Sequence, residues 1–354
     1  MKILVVNPGS NSTKVAVYEY TKNIFLTNIM HSFEELSKFD KVIEQYSFRK
    51  QKVLDILSVE GFELNDFEIV ISRGGLLKPM ESGVYQVNES MVNDIKNPMA
   101  EHISNIGGYI AKEIAELIGN GVKAYVVDPS CVDEFEDIAR LSGLPELPRK
   151  SFLHTLNQKA VARRYATEYN RKYEDINLIV THMGSGITVG AHSKGKIVDV
   201  NNGLDGDGPF AAERAGTVPA GQLVDLCFSG KYTRTDIRKL LTGYGGMQAY
   251  LGTCDAVEVE KMIQSGDKNA ELVYSAMAYQ VAQSIGSMAT VLKGEVEAIL
   301  LTGGLAHGKI FTDMILERVN FISKVLIYPG EDEVYALAMN GLMILKNEIK
   351  AKVY

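Results

Sequence analysis

The pattern of apolar and polar residues predicts that one β-hairpin occurs twice in this chain. The segment ILVVNPGSNSTKVAVY is an apolar, β-branched run that stops at a polar residue, turns through Gly and Ser, and resumes apolar alternation. The later segment LIVTHMGSGITVGAH repeats this pattern without gaps. The aligned pairs, all offset by 175 positions, are Asn7 and His182, Gly9 and Gly184, Ser10 and Ser185, and Thr13 and Thr188. The repetition indicates two related domains.

The turn of each hairpin suits a bound phosphate. Glycine lets backbone N–H groups approach an anion closely, and Ser or Thr hydroxyls add donors without bulk. For either copy alone an ordinary Gly-Ser turn is an equal alternative, but the repetition favours phosphate binding. We therefore predict that the two turns hold a polyphosphate, with contacts from Ser10, Ser12, Gly184 and Ser185.

The rest of the chain has the β–α–β order that is typical of α/β layers. In the first domain a third strand, NIFLTNIMHS, and a helical segment at 34–60 precede the strand EIVISRGG, the helix EHISNIGGYIAKEIAELIG and the strand KAYVVDPS. A helix over 151–169, with Ser151 as its N-cap, then leads into the second hairpin. The helix ELVYSAMAYQVAQSIGSMATVLK leads into the strand EVEAILLTGG. We expect the first domain to end near residue 150.

A segment rich in Gly, Pro and Asp, residues 196–221, is predicted to be irregular. Its sequence is KIVDVNNGLDGDGPFAAERAGTVPAG. Long ordered loops in compact domains are usually functional, so we interpret this segment as part of a site, with Arg214 as its cation.

The composition is that of a globular protein and limits the classes of partner. The chain has 354 residues, 46% of them hydrophobic and 23% charged, which favours two domains. A formal net charge of −7 offers no basic surface to nucleic acid. We expect no signal peptide and, with no apolar run of about 18 residues, no membrane span. Three cysteines without a CxxC pair fit a reduced cytoplasmic protein with buried thiols.

Charged residues at predicted strand ends are candidates for catalysis. Arg73 follows EIVIS, where a strand end in an α/β sheet opens on the ligand crevice. Guanidinium groups bind carboxylate and phosphate oxygens bidentately, although a surface ion pair is the first interpretation of Arg73 or Arg214 alone. Asp128 ends KAYVVDPS, and carboxylates in clefts hold hydrated Mg²⁺. For the acidic turn Glu331–Asp332–Glu333, stabilisation of a helix N-terminus is the first interpretation.

Histidines and a glycine pair complete the candidates. His102, His154 and His182 are candidate phosphate contacts, whereas His31, His192 and His307 look incidental. The segment GGLAHGKI at 303–310 lacks the Ser or Thr that holds Mg²⁺ in a P-loop, which disfavours a P-loop NTPase. Its Gly303 and Gly304 could instead let adenosine lie against the backbone, or form a plain turn. No HExxH, Cys/His cluster or GxSxG occurs, which excludes zinc hydrolysis and the α/β-hydrolase route.

Taken together, the chain resembles the butyrate kinases of the acetokinase family, in the superfamily of acetate and sugar kinases, Hsp70 and actin. The resemblance covers almost the whole chain, through segments such as SRGGLLKPMESGVYQVN, VVDPSCVDEFEDIARLSGLPE, VDVNNGLDGDGPFAAERAG and YPGEDEVYALAMNG. It implies an α/β fold of duplicated ribonuclease H-like (actin-like ATPase) domains flanking an ATP cleft. Residues 1–150 with about 331–354 would form the carboxylate and phosphate side, and 151–330 the nucleotide side.

The resemblance also implies an activity and residue roles. The γ-phosphoryl group of ATP would pass to the carboxylate of butyrate, giving butyryl phosphate and ADP reversibly, with Mg²⁺ as cofactor. Asn7 would contact phosphate and metal, and Arg73 and Arg214 would clamp carboxylate and phosphate oxygens. His182 would stabilise the transferring group, and His102 and His154 would lie close to the phosphate. Asp128 and Glu333, or Glu331 instead of Glu333, would position Mg²⁺ through water. Gly184, Gly186, Gly303 and Gly304 would border the nucleotide.

Several alternatives stay open at this point. Ser185 and Ser72 each stand where the family often has Gly, and the motifs do not specify the acyl pocket. One methylene discriminates by only about 1–3 kcal/mol, so a branched-chain (isobutyrate) or acetate/propionate kinase is an alternative. An ATP-switched binding protein or an actin-like filament protein would share the fold, although no residues remain for a separate peptide-binding region. A homodimer or higher homo-oligomer is expected.

Overall fold

The structure is a computed structural model that describes residues 1–98, 101–204 and 206–354. It contains two compact units. One unit is formed by Met1–Val132 together with Asp332–Tyr354, and the other by Asp133–Glu331. The division predicted near residue 150 is therefore displaced. Residues 133–150 belong to the second unit because Glu134 pairs with Lys159 and accepts a hydrogen bond from the backbone N–H of Ile197.

The first unit is a six-stranded mixed sheet with helices on both faces. Its strands are β1 (Lys2–Pro8), β2 (Ser12–Glu19), β3 (Lys22–Met30), β4 (Ile69–Arg73), β5 (Val84–Gln86) and β6 (Lys123–Val127), in the order β3-β2-β1-β4-β6-β5. Its helices are α1 (Phe33–Leu36), α2 (Tyr46–Val59), α3 (Glu89–Lys96), α4 (Asn105–Ile118) and the C-terminal helix (Glu333–Leu345), with 3₁₀ turns at Val42–Gln45 and Leu64–Asp66.

Burial on both faces of β1 explains its unbroken apolar run. Leu4 and Val6 pack in the core with α4, while Ile3 on the other face lies against Gly341 of the C-terminal helix. Residues Ile3 to Val6 are fully buried. β1 pairs in parallel with β4 and antiparallel with β2, so polar residues that end β1 and β4 lie at one edge of the sheet.

The second unit is a five-stranded mixed sheet. Its strands are β7 (Asn177–Met183), β8 (Ile187–Ser193), β9 (Lys196–Val200), β10 (Ala298–Gly303) and β11 (Val325–Pro329), in the order β11-β10-β7-β8-β9. Its helices are α5 (Thr155–Glu168), α6 (Ala220–Cys227), α7 (Arg234–Thr242), α8 (Gly246–Leu251), α9 (Ala256–Gln264), α10 (Lys268–Val291) and α11 (Lys309–Val319), and its 3₁₀ turns are Asp137–Arg140, Tyr173–Asp175 and Gly304–His307.

The two sheets share one topology, which confirms the predicted duplication. In each, three sequential antiparallel strands are followed by two parallel strands added beside the first, β1 to β4 to β6 and β7 to β10 to β11. The hairpin strands begin 175 residues apart, as the sequence predicts. Their pairing differs by one residue, because Pro8 pairs with Thr13 whereas Met183 pairs with Ile187 across a shorter turn.

Several local predictions were wrong. The helix predicted at 151–169 spans Thr155–Glu168 with His154 in the N-cap position, so Ser151 is not the cap. Residues 196–200 of the predicted loop form β9. The helical segment predicted at 34–60 is not continuous, because α1 ends at Leu36 and α2 begins only at Tyr46. Cys131 is buried, but Cys227 and Cys254 are exposed, which contradicts the prediction for those two thiols. Among the described residues, no helix is both long and apolar enough for a membrane span.

Candidate active site

Asn7 and Glu333 meet at the carboxyl end of β1 in the first unit. Asn7 is the sixth residue of β1, and Glu333 is the first residue of the C-terminal helix. Asn7 Nδ2 donates to Glu333 Oε2 at 2.9 Å, and both side chains are almost fully buried. Asn7 Oδ1 is buried and has no hydrogen-bond partner among the described residues. A buried acceptor of this kind normally has a donor or a cation.

Arg73 faces the same carboxylate from the end of β4. Its Nη1 lies 3.4 Å from each oxygen of Glu333, and its Nη2 lies 3.5 Å from Ser130 Oγ. The Nε atom is buried and lacks a partner within the described chain. The guanidinium is thus held on one side by Glu333 while keeping donor capacity for an anion.

Asp128 follows β6, the neighbour of β4. Its carboxylate is buried and its Oδ1 accepts the backbone N–H of Gly83 at 2.8 Å. Its φ of +39° lies in the left-handed region, where a non-glycine residue is strained. Such strain persists where the surrounding structure fixes it and is frequent at functional sites. Asp128 is therefore held by the fold at a strand end that the sequence already marked as a candidate.

The oxygen atoms at this edge fit a hydrated magnesium ion. Mg²⁺ takes oxygen ligands, keeps several of its waters, and uses one or two carboxylates. Asn7 Oδ1 is an unsatisfied amide oxygen beside the Glu333 carboxylate, and Asp128 supplies a second carboxylate at a neighbouring strand end. Within the described ranges, no three His, Cys, Asp or Glu side chains converge as direct metal ligands. An amide oxygen and carboxylates suit a magnesium ion that keeps several of its waters.

His102 precedes α4 in the first unit. Its Nδ1 lies 2.7 Å from Ser104 Oγ and accepts the backbone N–H of Ser104 at 3.3 Å, so its other nitrogen carries the proton when the ring is neutral. Ser104 is fully buried and anchors this orientation. The proposed contact of His102 with phosphate stays a prediction.

In the second unit, His182 and His154 form a stacked pair. The ring centroids are 3.9 Å apart with an interplanar angle of 15°. His182 Nδ1 lies 3.0 Å from Asn157 Oδ1, and its Nε2 lies 3.9 Å from Glu331 Oε1. His154 Nδ1 lies 3.0 Å from Thr188 Oγ1, a residue of the second hairpin. Glu331 therefore lies near a histidine, whereas Glu333 lies with Asn7 and Arg73.

Arg214 packs against the turn of the second hairpin. Its Nη1 donates to the carbonyl oxygen of Gly203, and a Cβ atom at Gly186 would overlap the guanidinium. The backbone N–H of Glu213 points to the carbonyl of Ser185 at 3.4 Å, and Gly184 N–H donates to the Gly186 carbonyl at 3.0 Å. Gly186 is thus required for close approach of Arg214 to the turn. Ser185, where Gly was expected, is accommodated at the tip.

Gly303 ends β10 against the same hairpin. Its φ is +93°, and a Cβ atom there would overlap the carbonyl oxygen of Met183, the residue after His182. Gly303 and Gly330 exchange two backbone hydrogen bonds of 2.9 and 3.0 Å. A Cβ at Gly304 would meet nothing within 4 Å. Gly303 is therefore needed for backbone packing, and Gly304 leaves an open surface beside it.

Two supporting residues were missed by the sequence reasoning. Asn157 orients His182, and Arg49 contacts the turn of the first hairpin. Asn157 lies three residues after His154 on one helix, a spacing that places both on the same helical face and could have indicated it. Arg49 lies in a segment with many charged residues and carries no comparable signal.

Comparison with known proteins agrees with this fold. The model of the acetokinase family matches residues 147–323. Butyrate kinase 2 of Clostridium acetobutylicum is 53% identical over 354 residues, which are 100% of this chain and 99% of that protein. The acetate kinase of Porphyromonas gingivalis has a similar structure, with a TM-score of 0.80, 17% identity, and coverage of 97% of this chain and 99% of that one.

A propionate kinase from Francisella tularensis gives a TM-score of 0.78 with 16% identity, covering 96% of this chain and 98% of its own. At these identities the structural matches establish the fold, and they confirm the predicted duplicated α/β domains of the actin-like ATPase type. The family model and the full-length relative establish more than the fold. This chain belongs to the acetokinase family.

Proposed function

We propose that this protein is a butyrate kinase, which transfers the γ-phosphoryl group of ATP to the carboxylate of butyrate and gives butyryl phosphate and ADP. The observation that carries the proposal is the buried cluster of Asn7, Arg73 and Glu333, in which a cation for anionic substrates adjoins oxygen ligands for a metal. The full-length similarity to Butyrate kinase 2 supports the choice of acid.

The chemistry asks the protein for alignment and charge neutralisation. A carboxylate oxygen attacks the γ-phosphorus as the bond from that phosphorus to the β-bridging oxygen breaks, and ADP leaves with the electron pair of that bond. The attacking carboxylate is ionised at neutral pH, so no general base is needed. Such a reaction depends on positioning and on stabilising charge at the metaphosphate-like centre.

The contacts in the first unit support the roles that we propose there. We assign Arg73 to binding of the acid carboxylate and transferring phosphoryl oxygens, with Glu333 fixing its orientation. Asn7, Asp128 and Glu333 would hold Mg²⁺ through its waters. Bound Mg²⁺ would neutralise phosphate charge. The turn residues Ser10 and Ser12 would donate to phosphate.

The contacts in the second unit support further proposed roles. We assign His182, oriented by Asn157, and Arg214, seated on the hairpin turn, to the oxygens of the transferring group. His154 would support His182 by stacking. Backbone at Gly184, Ser185, Gly186, Gly303 and Gly304 would border the nucleotide.

The test is formation of acyl hydroxamate from ATP, Mg²⁺ and hydroxylamine with acetate, propionate, butyrate, isobutyrate and valerate. Highest activity with butyrate is expected, and Arg73→Ala and Arg214→Ala should each abolish it. Arg171→Ala is the matched control, because this half-exposed arginine pairs with Glu297 outside the site. A higher rate with isobutyrate or acetate would reassign the substrate. No hydroxamate with any acid, despite bound ATP, would favour an ATP-switched binding protein.

We also propose a homodimer or higher homo-oligomer in the cytoplasm. Symmetric homo-oligomers are the commonest assemblies of such proteins, and α6 presents Val224 as well as the adjoining Phe228 to solvent. Size-exclusion chromatography with light scattering should give at least twice the chain mass of 39.0 kDa. A mass of one chain at micromolar concentration would refute this.

A further inference from the structure

A fully buried arginine lies against the turn of the first hairpin. Arg49 belongs to α2, and its side chain has no exposed surface. Its Nη1 donates to the carbonyl oxygens of Gly9 at 2.9 Å and Ser12 at 2.8 Å, and its Nη2 donates to that of Ser10 at 2.9 Å. One guanidinium therefore binds three carbonyls of a four-residue turn.

The remaining partners of Arg49 are neutral as well. Nη1 also lies 3.2 Å from Thr13 Oγ1, and Nε donates to Gln45 Oε1 at 3.1 Å. No carboxylate pairs with this guanidinium in the part of the chain that the structure describes. Burial lowers the pKa of Arg49 to about 10, which leaves it charged at neutral pH. A buried charge without a counter-charge is costly, so buried charges are usually paired.

The contacts of Arg49 also decide which side of the turn faces solvent. The fourth carbonyl of the turn, that of Asn11, accepts the backbone N–H of His31 at 2.8 Å. All four carbonyl oxygens are therefore bound within the protein. The backbone N–H groups of Ser10 and Asn11 belong to exposed residues and donate to no acceptor among the described residues. With its carbonyls held back, the turn presents N–H donors to an anion.

In the second hairpin a neutral amide binds the equivalent buried threonine. Thr13 and Thr188 are equivalent in the repeat, and both are fully buried. Thr13 Oγ1 is contacted by Arg49 and by His31 Nε2 at 2.8 Å, whereas Thr188 Oγ1 is contacted by His154 and by Gln158 Nε2 at 2.8 Å. A neutral amide thus suffices to bind the threonine at this position of the hairpin. The positive charge under the first turn calls for another reason.

We propose that Arg49 is a positioning residue for nucleotide phosphate, which fixes the carbonyls of the 9–12 turn and whose buried charge is balanced by phosphate bound on the other side. This role rests on the proposed kinase function, since that function makes ATP the ligand of the turn. It predicts a specific defect in phosphate recognition rather than in adenosine recognition or in the chemical step.

The experiment compares Arg49→Gln, Arg49→Lys and Lys50→Gln. Glutamine removes the charge but keeps an amide like that of Gln158, and lysine keeps the charge but cannot reach three carbonyls at once. Lys50 is the adjacent cation, pairs with Glu113 and does not touch the turn. Calorimetry would give Kd for ATP and for adenosine. Amide deuterium uptake would be followed in a peptide covering residues 7–13.

Arg49→Gln should weaken ATP binding about 10- to 100-fold while leaving adenosine binding within twofold. It should also raise deuterium uptake in residues 7–13. The ATP affinity and the deuterium uptake of Arg49→Lys should lie between those of Arg49→Gln and the wild type. Both quantities should be the same in Lys50→Gln as in the wild type. ATP affinity of Arg49→Gln within twofold of the wild type would overturn the role. Equal loss of ATP and adenosine binding would do the same, because it would indicate a general structural defect.

Two further outcomes keep the test decisive. If Arg49→Gln fails to fold, Arg49→Lys becomes the test. ATP affinity and deuterium uptake equal to those of the wild type in that variant would refute the need for the guanidinium. The hydroxamate assay of the wild type runs in parallel. Weaker ATP binding by Arg49→Gln with no hydroxamate from the wild type would refute the kinase assignment alone, whereas an active wild type with an unaffected variant would refute the role of Arg49 alone.

Discussion

The substitution Glu333→Gln tests the predicted magnesium site most sharply. It keeps the shape of the side chain and an oxygen that accepts the Asn7 amide, which lies 2.9 Å away. It removes the negative charge that faces Arg73 at 3.4 Å and adjoins the unsatisfied Asn7 Oδ1. The variant therefore separates charge from packing.

The size of the effect follows from these distances. Two unit charges 3.4 Å apart attract by about 5 kcal/mol at an effective dielectric of about 20. Desolvation offsets much of this, and hydrogen bonds to charged groups contribute about 1.5–3 kcal/mol net. A loss of about 2.7 kcal/mol corresponds to a roughly 100-fold lower kcat/KM. We also expect the Mg²⁺ concentration for half-maximal rate to rise about tenfold.

The assay is the initial rate against Mg²⁺ at saturating ATP and butyrate. Glu331→Gln is the matched comparison, because Glu331 lies near His182 rather than Asn7. Its Mg²⁺ dependence should equal that of the wild type. Urea denaturation of both variants would show whether a lower rate reflects unfolding. A shifted Mg²⁺ dependence in Glu331→Gln, with none in Glu333→Gln, would transfer the metal role to Glu331 and refute this reasoning.

Three other predictions concern stability. Burial, and then the nearby guanidinium of Arg49, lower the pKa of His31 from 6.5 to about 4, so the unfolded chain takes up this proton at a higher pH than the folded chain. The free energy of unfolding should therefore fall by up to about 3 kcal/mol from pH 6.5 to 4. In urea titrations, His31→Gln should flatten this fall. Glu134→Gln removes the carboxylate that pairs with buried Lys159 and should lower the free energy of unfolding by about 3–5 kcal/mol, whereas Glu134→Leu combined with Lys159→Met should restore most of it. Gly303→Ala should unfold at lower temperature than Gly304→Ala, because only the former overlaps a backbone carbonyl and has positive φ; equal melting temperatures would contradict this.

The repeated periodicity made the core of the fold predictable. Short apolar, β-branched runs such as Ile3 to Val6 favour a buried central strand, and the 175-residue offset identified the second copy of that strand. The pairing register of the second hairpin could not be predicted in this way. It depends on the turn: the N–H of Gly184 donates to the carbonyl of Gly186, whereas in the first hairpin the N–H of Gly9 donates to the carbonyl of Ser12, one residue further along.

The candidate site was predictable where residues end strands. Asn7, Arg73 and Asp128 follow apolar runs, and parallel strands bring such ends to one edge. The sequence could not decide whether Glu333 or Glu331 has the metal role, since both lie in one acidic turn. In the structure Glu333 contacts Asn7, whereas Glu331 lies near His182. Arg49 could not be found, because the contacts that define it join residues about 40 positions apart in sequence.

Transfer of a phosphoryl group from ATP to butyrate can be observed in a single reaction by ³¹P NMR of the purified protein with ATP, Mg²⁺ and butyrate. We expect the resonances of ADP and of an acyl phosphate to grow in equal amounts, and both to be absent without butyrate. Formation of ADP with orthophosphate as the only other product, at the same rate with and without butyrate, would contradict it.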